Sequence, residues 1–320
     1  MAKYVVKRVL LMFFVLFCIV TICFMLIRML PMTKPTGTVA QIQLVEARWD
    51  ALGYEKPLRV QYGIYLKNIF TELDFGTSWY IQYRTPALDV IIDRLLPTVL
   101  VNLYSLVLST PIGIAVGIYA AIKKNKWQDH FISTAVMVFV SIPSYVYAFL
   151  VQFIFGFWLD WFPLTVYSLA DAGNSWFSGQ MIYSMVLPVM ALSFGTVAGL
   201  CRFTRAELTE SLTSDYMLLA RTKGLTRSQA TVRHALKNAM VPILPSIIAS
   251  FIGILGGSMI IEQIFSIPGV GRLYIQAITL RDYDVFMIDC VFYTFINLLA
   301  GIVVDISYGF IDPRIRMGEK

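Results

Sequence analysis

Six long apolar stretches decide what this 320-residue chain can fold into, because each reaches the roughly 20 residues that an α-helix needs to cross a bilayer. Hydrophobic residues make up 58% of the chain and charged residues only 14%, whereas a soluble protein carries about a quarter charged residues. We therefore predict an all-α integral membrane protein embedded in a lipid bilayer. Its six transmembrane helices are expected near residues 9–30, 98–122, 131–158, 182–203, 241–263 and 285–310.

The first apolar stretch follows Lys3, Lys7 and Arg8, as the core of a signal peptide would. It is longer than the roughly 7–15 residues of a signal-peptide core, and no small-x-small cleavage site follows before Arg28. We predict an uncleaved first helix. The expected organisation is an N-terminal segment with the first helix (1–30), an external loop with short helices (31–97) and a five-helix core (98–320). The external loop is either a lid over the bundle or a docking surface for an external partner.

The distribution of Lys and Arg predicts the orientation in the membrane. An even number of spans places both termini on one side, and cytoplasmic loops carry the excess of basic residues. The loop near 159–181 has no Lys or Arg, so we predict that both termini are cytoplasmic. The same bias accounts for the net charge of +6, and we expect no nucleic-acid partner because no basic cluster interleaved with aromatics lies in a soluble domain. The basic residues assigned to the cytoplasmic side are Lys3, Lys7, Arg8, Lys123, Lys124, Lys126, Arg202, Arg205, Arg221, Lys223, Arg227, Arg233, Lys237, Arg314, Arg316 and Lys320.

A long polar and basic stretch, 211–245, separates the fourth and fifth spans and has the pattern helix, glycine, helix. Ser214 or Asp215 can cap the first free N–H groups of a short helix, and Gly224 stands where a left-handed residue ends it. Arg221 and Lys223 offset the negative end of that helix dipole. We predict a rigid cytoplasmic segment over 211–242.

The second helix of that segment is predicted to begin at once. Thr226 and Gln229 have the spacing of a capping box, and Pro242 is expected to end the helix. Arg233 and Lys237 are four residues apart and therefore share a face. The two helices together would offer a basic elbow to something outside the bilayer.

Small and bent positions occur inside the spans. Three glycine pairs four residues apart, 113/117, 195/199 and 253/257, allow helices to approach closely. Pro111, Pro143 and Pro188 can kink their helices. These features indicate either simple close packing or a bundle that has to move.

Ionisable residues in the spans are few: Glu262, Asp289 and Asp305. A carboxylate within a span is a functional candidate by default, but these lie near predicted helix ends, where a structural role is favoured. A carrier coupled to protons or sodium ions would need carboxylates near the midplane of the membrane, and the sequence shows no such group of residues.

Signals for catalysis are missing from the sequence. His130 and His234 have no partner at metal-ligand spacing, the four cysteines lie in or beside apolar runs, and no G-x-x-x-x-G-K-[ST] nucleotide motif occurs. We expect neither an enzymatic site nor a metal or cofactor in this chain.

The stretch from Ala220 to Leu225, followed by Arg233 to Ala239 and Val241 to Leu244, resembles the cytoplasmic coupling loop of bacterial ABC-importer permeases of the peptide and nickel class. The resemblance covers most of the chain, and the long loop after the first span is similar to the B-type member of the permease pair. The other matching segments, in chain order, are Lys7-Arg8, Arg28-x-x-Pro31, Leu52–Tyr54, Lys56–Leu58, Gln61-Tyr62, Asp74–Ser78, Arg94–Thr98, Glu262–Leu273, Arg281–Tyr283 and Asp312–Arg316.

One departure lies within the coupling loop. The wider importer family has Glu-Ala-Ala where this chain has Leu218, Leu219 and Ala220, and Leu219 replaces the Thr or similar small polar residue found in the peptide class. Any coupling model that needs a hydrogen bond from this position therefore does not apply here.

The resemblance implies a type I permease fold and a division of labour. The coupling loop would dock on one of two cytoplasmic ATP-binding subunits, which bind ATP and Mg. A second six-helix permease would complete the path through the bacterial cytoplasmic membrane, and an external binding protein would deliver peptides, with oligopeptides favoured. The coupling residues implied are Asp215, Ala220, Arg221, Thr222, Lys223, Gly224, Leu225, Arg233 and His234.

Other functions stay open on the sequence alone. Within the same class, the substrate could be nickel, an opine or a glycan. From other classes, a secondary carrier or channel would transport without ATP-binding partners, and a membrane enzyme would need a catalytic neighbour for one of the two histidines.

Overall fold

The structure is a computed structural model that describes residues 2–30 and 38–311. Its helices are α1 (Ala2–Arg28), α2 (Val39–Leu52), α3 (Leu58–Glu72), α4 (Ala87–Ile122), α5 (Trp127–Ser141), α6 (Ser144–Val151), α7 (Gly179–Ser184), α8 (Val186–Leu212), α9 (Asp215–Thr222), α10 (Arg227–Ala230), α11 (Leu236–Gly253), α12 (Met259–Ile264), α13 (Val270–Leu280) and α14 (Tyr283–Ile311). A π-helical turn follows α6 (Gln152–Trp158) and another joins α10 to α11 (Thr231–Ala235), and a 3-10 turn (Ile254–Gly256) follows α11.

The chain is an all-α membrane protein, as predicted. Five helices of the described chain are long and apolar enough to span a membrane, and a sixth span is possible if a bent pair of helices is counted as one. The bent pair is α5 with α6 and its π-helical turn, at an angle of 99°. Pro143 causes the bend, since Ile142 and Pro143 are extended and stop the helix ladder between Ser141 and Ser144. The span predicted over 131–158 is therefore broken into two helices, and the predicted kink at Pro143 is confirmed.

Two other predicted boundaries need correction. Helix α4 begins at Ala87 and contains Pro97 and Pro111, so residues 87–97, predicted as the end of the external loop, belong to the second long helix instead. The fifth span does not reach residue 263, because the helix ends at Gly253 and the chain reverses at Gly257, which has a φ of 60°. The segment predicted as a loop near 264–284 is largely helical and contains α13.

The loop predicted to be external forms short helices, as expected, together with a small antiparallel hairpin. Strands β1 (Thr77–Ser78) and β2 (Thr85–Pro86) pair so that Thr77 lies opposite Pro86 and Ser78 opposite Thr85. Pro31 and the motif from Asp312 to Arg316 lie outside the described residues.

The carboxylate of Asp282 fastens this hairpin to the corner between α13 and α14. Its Oδ2 accepts hydrogen bonds from the Ser78 hydroxyl at 2.7 Å and from the backbone N–H groups of Trp79, Tyr80 and Ile81 at 3.2, 3.0 and 3.1 Å. Asp282 is only 2% exposed. Two motifs that are about 200 residues apart in sequence therefore form one polar joint.

A second buried carboxylate, Glu262, organises the chain reversal after α11. It accepts hydrogen bonds from the Thr98 hydroxyl of α4 at 3.0 Å and from the N–H groups of Ser258 and Arg272 at 3.3 and 3.0 Å. A Cβ at Gly269 or Gly257 would collide with this carboxylate. The glycines of this segment leave room for the charge, and Glu262 holds α4, α12 and α13 together.

The two aspartates of the last span differ in their surroundings. Asp305 pairs with Arg8 at 3.1 Å, which places the N-terminal end of α1 beside the C-terminal end of α14. Asp289 is fully buried, and neither of its oxygens has a hydrogen-bond partner among the described residues. A structural role is confirmed for Asp305, whereas Asp289 has no visible bonding role.

The predicted glycine pairs divide into packed and open positions. A Cβ at Gly113 would lie 2.8 Å from the Leu200 side chain, and one at Gly117 would lie 2.7 Å from the Cys201 carbonyl, so these two glycines let α4 approach α8. At Gly195, Gly199 and Gly253 a Cβ would meet nothing within 4 Å. Close packing within this chain therefore explains only the first pair.

Candidate functional site

The segment 211–242 lies at the end of the bundle where α8 ends. Helix α8 continues to Leu212, beyond the predicted end of its span, and α9 starts after a tight turn. Ser214 occupies the N-cap position of α9, but its side chain does not cap the helix. Its hydroxyl donates instead to the Ser211 carbonyl at 2.6 Å, because the end of α8 also needs a partner. The predicted capping role of Ser214 is therefore wrong.

Tyr216 adds a second connection between α8 and α9. Its hydroxyl lies 2.6 Å from the Ser211 hydroxyl. Burial alone would raise the pKa of Tyr216, but hydrogen bonds with Ser211, Ser214 and Asn238 outweigh that effect and lower its pKa. The start of α9 is thus held by hydroxyl groups rather than by ion pairs.

Gly224 ends α9 as predicted. Its φ is 88°, and its N–H donates to the Arg221 carbonyl at 3.0 Å while the N–H of Leu225 reaches back to the Ala220 carbonyl at 3.3 Å. These two bonds form a Schellman motif, which needs a left-handed residue at this position. The left-handed turn fixes the direction in which the chain leaves α9.

The next helix begins with the predicted capping box. The Thr226 hydroxyl accepts from the Gln229 N–H at 3.3 Å, and the Gln229 side chain accepts from the Thr226 N–H at 3.1 Å. The helix then continues through a π-helical turn and through Pro242 to Gly253, so its predicted end at Pro242 is wrong. Membrane helices tolerate internal proline where neighbours compensate for the lost bond. As a result, the second helix of the segment and the fifth span are one continuous rod.

The predicted coupling residues lie close together but face in two directions. Ala220 is buried, and with Met217 it packs on Ala121, Leu208 and Ala230 at the ends of the spanning helices. Leu225 is half-buried and lies against the same cluster. The remaining residues are exposed, namely Asp215, Arg221, Thr222, Lys223, Gly224, Arg233 and His234.

Exposed apolar side chains lie among these polar residues. Leu218 is 65% exposed, Leu219 is 55% exposed and Val232 is 61% exposed. Leu218 and Leu219 occupy positions where the wider family has Glu-Ala-Ala, but the sequence alone does not show that their side chains are exposed. Two adjacent leucines among the polar residues of this segment are the signal that could have identified this exposed surface.

A bidentate ion pair fixes the direction in which α8 approaches the segment. Arg205 on α8 donates to both carboxylate oxygens of Asp129 near the start of α5, with Nη2 to Oδ2 at 2.8 Å. Asp129 is 1% exposed and also accepts from the Asn125 N–H at 2.9 Å. Arg–carboxylate pairs of this geometry are strong and directional. The ion pair therefore fixes the position of α8 relative to α5 just before the segment 211–242 begins.

Among the described residues, no group of three or more His, Cys, Asp or Glu side chains could hold a metal ion. The geometry suits a mechanical contact, in which a capped lever meets a partner through leucines surrounded by charge.

Comparison with known proteins identifies the family of this chain. Residues 113–317 match the family described as "Binding-protein-dependent transport system inner membrane component", and residues 1–101 match the corresponding N-terminal family. A dipeptide transport system permease of Lactococcus lactis is 36% identical over 99% of this chain and 100% of its own length. A glutathione transport system permease of Escherichia coli K12 is 32% identical over 99% of both chains. The chain belongs to the family of inner-membrane permease components of binding-protein-dependent transport systems, the permease subunits of ABC importers.

Proposed function

We propose that this chain, with a second six-helix permease, forms the path of an ATP-driven importer for short peptides. Both relatives carry names that refer to peptides, since glutathione is a tripeptide. Their matches run along nearly the whole chain, which favours peptides over nickel, an opine or a glycan. The preference for longer oligopeptides stays a prediction.

The segment 211–242 is the proposed contact with an ATP-binding subunit. The observation that carries this proposal is the exposure of Leu218 and Leu219 on a helix that is capped at Gly224. When a partner covers exposed leucines on a polar helix outside the spans, the complex is stabilised by about 25 cal/mol per Å² of apolar surface removed from water. A helix fixed by a Schellman motif transmits displacement, whereas a flexible loop would absorb it.

The proposed orientation places this segment, and both chain ends, in the bacterial cytoplasm. Three features support a common side: the Arg8–Asp305 ion pair, the packing of α9 on the end of α4, and the basic residues around Gly224. ATP and Mg would bind to the partner subunits, and an external binding protein would deliver peptide to the opposite face.

Uptake into vesicles tests the proposal. Proteoliposomes with the complete importer should accumulate labelled dipeptides and tripeptides when ATP is supplied, and should not accumulate nickel. Deleting 222–229 should abolish uptake while the protein stays in the membrane, because the deletion removes Gly224 and the capping box. Peptide uptake by the deletion variant would refute the coupling role, and nickel uptake without peptide uptake would refute the substrate class.

A further inference from the structure

A polar cavity of about 170 Å³ opens between α4, α8 and α11. All three helices belong to the spanning bundle. The cavity carries no charged side chain among its described lining residues, and its polar members come from each helix. They are Asn102 and Ser105 of α4, Thr196 of α8 and Ser250 of α11.

Most of the donors of this cavity are already used. One N–H of the Asn102 amide donates to the Thr98 carbonyl at 2.8 Å, and its second N–H stays available. Thr196 donates to the Leu192 carbonyl at 3.2 Å. Ser250 donates to the Ser246 carbonyl at 2.9 Å.

The same holds for Ser105, through its neighbour Ser193. Ser193 donates to the Val189 carbonyl at 2.7 Å, so Ser105 is the donor in the 3.2 Å bond between the two hydroxyls. An oxygen whose own hydrogen is taken can still accept a hydrogen bond. The cavity therefore presents four acceptor oxygens against one remaining N–H, that of Asn102, and it suits a ligand that brings N–H groups.

The face around the cavity does not suit lipid. Ser250, Gly195 and Gly253 are exposed, and a Cβ on either glycine would meet nothing within 4 Å. Polar groups and open backbone within a span are placed against protein or a water-filled cavity rather than against hydrocarbon. The glycines on α4, by contrast, are packed against α8.

We propose that this cavity is the chain's own part of the substrate path, and that it holds peptides through their backbone N–H groups. The proposal rests on the proposed function in peptide import. Four neutral acceptors recognise what all peptides share, and the absence of charge from the cavity lining leaves the side chains of the substrate unselected. The volume fits a part of a peptide, so the rest of the substrate would be held by the second permease.

Two variants test the cavity in proteoliposomes that contain the complete importer. Gly253→Phe fills the opening and should abolish peptide uptake while ATP hydrolysis continues. The double variant Thr196→Val/Ser250→Ala removes two acceptors with little change in volume, and should raise the KM for uptake about three- to tenfold with kcat nearly unchanged, as expected for one or two lost hydrogen bonds. An N-methylated peptide, which lacks those N–H groups, should show a smaller change between wild type and double variant.

The matched control is Val107→Phe, which places the same side chain at an exposed position of α4 outside the cavity lining and should transport normally. Wild-type KM values in the double variant would overturn the assignment, whether or not Gly253→Phe assembles. If wild-type vesicles take up no peptide, the proposed function itself fails, so the two failures are distinguishable.

Discussion

The two ends of the bundle are held by different kinds of bond. At the end that carries α9, the bonds within the segment 211–242 are short-range in sequence and involve neutral groups, as in the Thr226–Gln229 capping box. At the opposite end, buried carboxylates collect donors from distant segments, as Asp282 does from β1 and the turn after it. The bonds that shape the segment 211–242 lie within it, whereas Asp282 fastens the loop between α1 and α4 to α14. The proposed lever, residues 211–242, is therefore shaped by local bonds, and the frame, which joins that loop to α14, is held by bonds between distant residues.

The largest expected effect comes from charging the exposed face of the lever. Leu218→Asp/Leu219→Asp should abolish association with the ATP-binding subunit, because covering two leucines contributes about 3–6 kcal/mol and burial of new charges costs more. Peptide uptake and co-purification of the subunits measure the loss. Ser228→Asp is the control, since it charges an exposed position of the same segment that is not among the proposed coupling residues, without removing an apolar side chain. Normal co-purification of the double variant would show that these leucines are not in the interface.

A comparable effect is expected in the frame, but on stability. Asp282→Ala leaves the buried Ser78 hydroxyl and three partly buried N–H groups without an acceptor. We expect a cost of about 3–5 kcal/mol, since each unpaired buried donor costs about 1–3 kcal/mol and water compensates part of it. Asp282→Asn keeps one acceptor oxygen and should cost about half as much. Thermal unfolding of the detergent-solubilised protein measures both variants, and an unchanged Tm for Asp282→Ala would contradict the fixed frame.

A smaller effect on local stability is expected at Gly224, where the chain turns between α9 and α10. Gly224→Val forces a β-branched residue to a φ of 88° and should cost about 1–3 kcal/mol locally. Gly224→Asn should be nearly neutral, because Asn tolerates left-handed backbone. Hydrogen exchange of residues 215–229 measures the local change, and peptide uptake should fall only in the Val variant. Equal exchange in the two variants would show that the turn does not depend on Gly224.

The smallest effect is a difference in pH dependence. Burial tends to raise the pKa of Asp74, but the Arg48 guanidinium and the Gly76 N–H hold it below its usual value. A lowered pKa contributes stability that is present above the pKa of the unfolded chain and is lost as pH falls through the folded value. The frame should therefore loosen in acid, while the neutral caps of the lever should not. Proteolysis of 38–86 compared with 213–230 at decreasing pH measures this, and simultaneous loosening of both would contradict it.

The same contrast explains what the sequence could predict. The turn at Gly224 and the capping box depend on residues within a few positions, so local rules predict their geometry. The predicted cap at Ser214 was wrong because the Ser214 hydroxyl donates to the Ser211 carbonyl instead. The bends at Pro143 and Gly257 are marked by breaker residues, but the extent of each bend depends on packing. Glu262 has partners on α4 and α13 that no local pattern reveals. The acceptor cavity could not be predicted at all, because four unremarkable polar residues meet only when three spans pack together.

In the proposed importer, the exposed leucines of α9 touch an ATP-binding subunit. A photo-crosslinking amino acid at position 219 tests it most directly in the assembled importer, with Phe177 as the control position, since it is equally exposed but lies in the segment that connects the bent pair to α8. Illumination should join this chain to an ATP-binding subunit from position 219 and not from position 177. An adduct with that subunit from position 177 but none from position 219 would contradict the account.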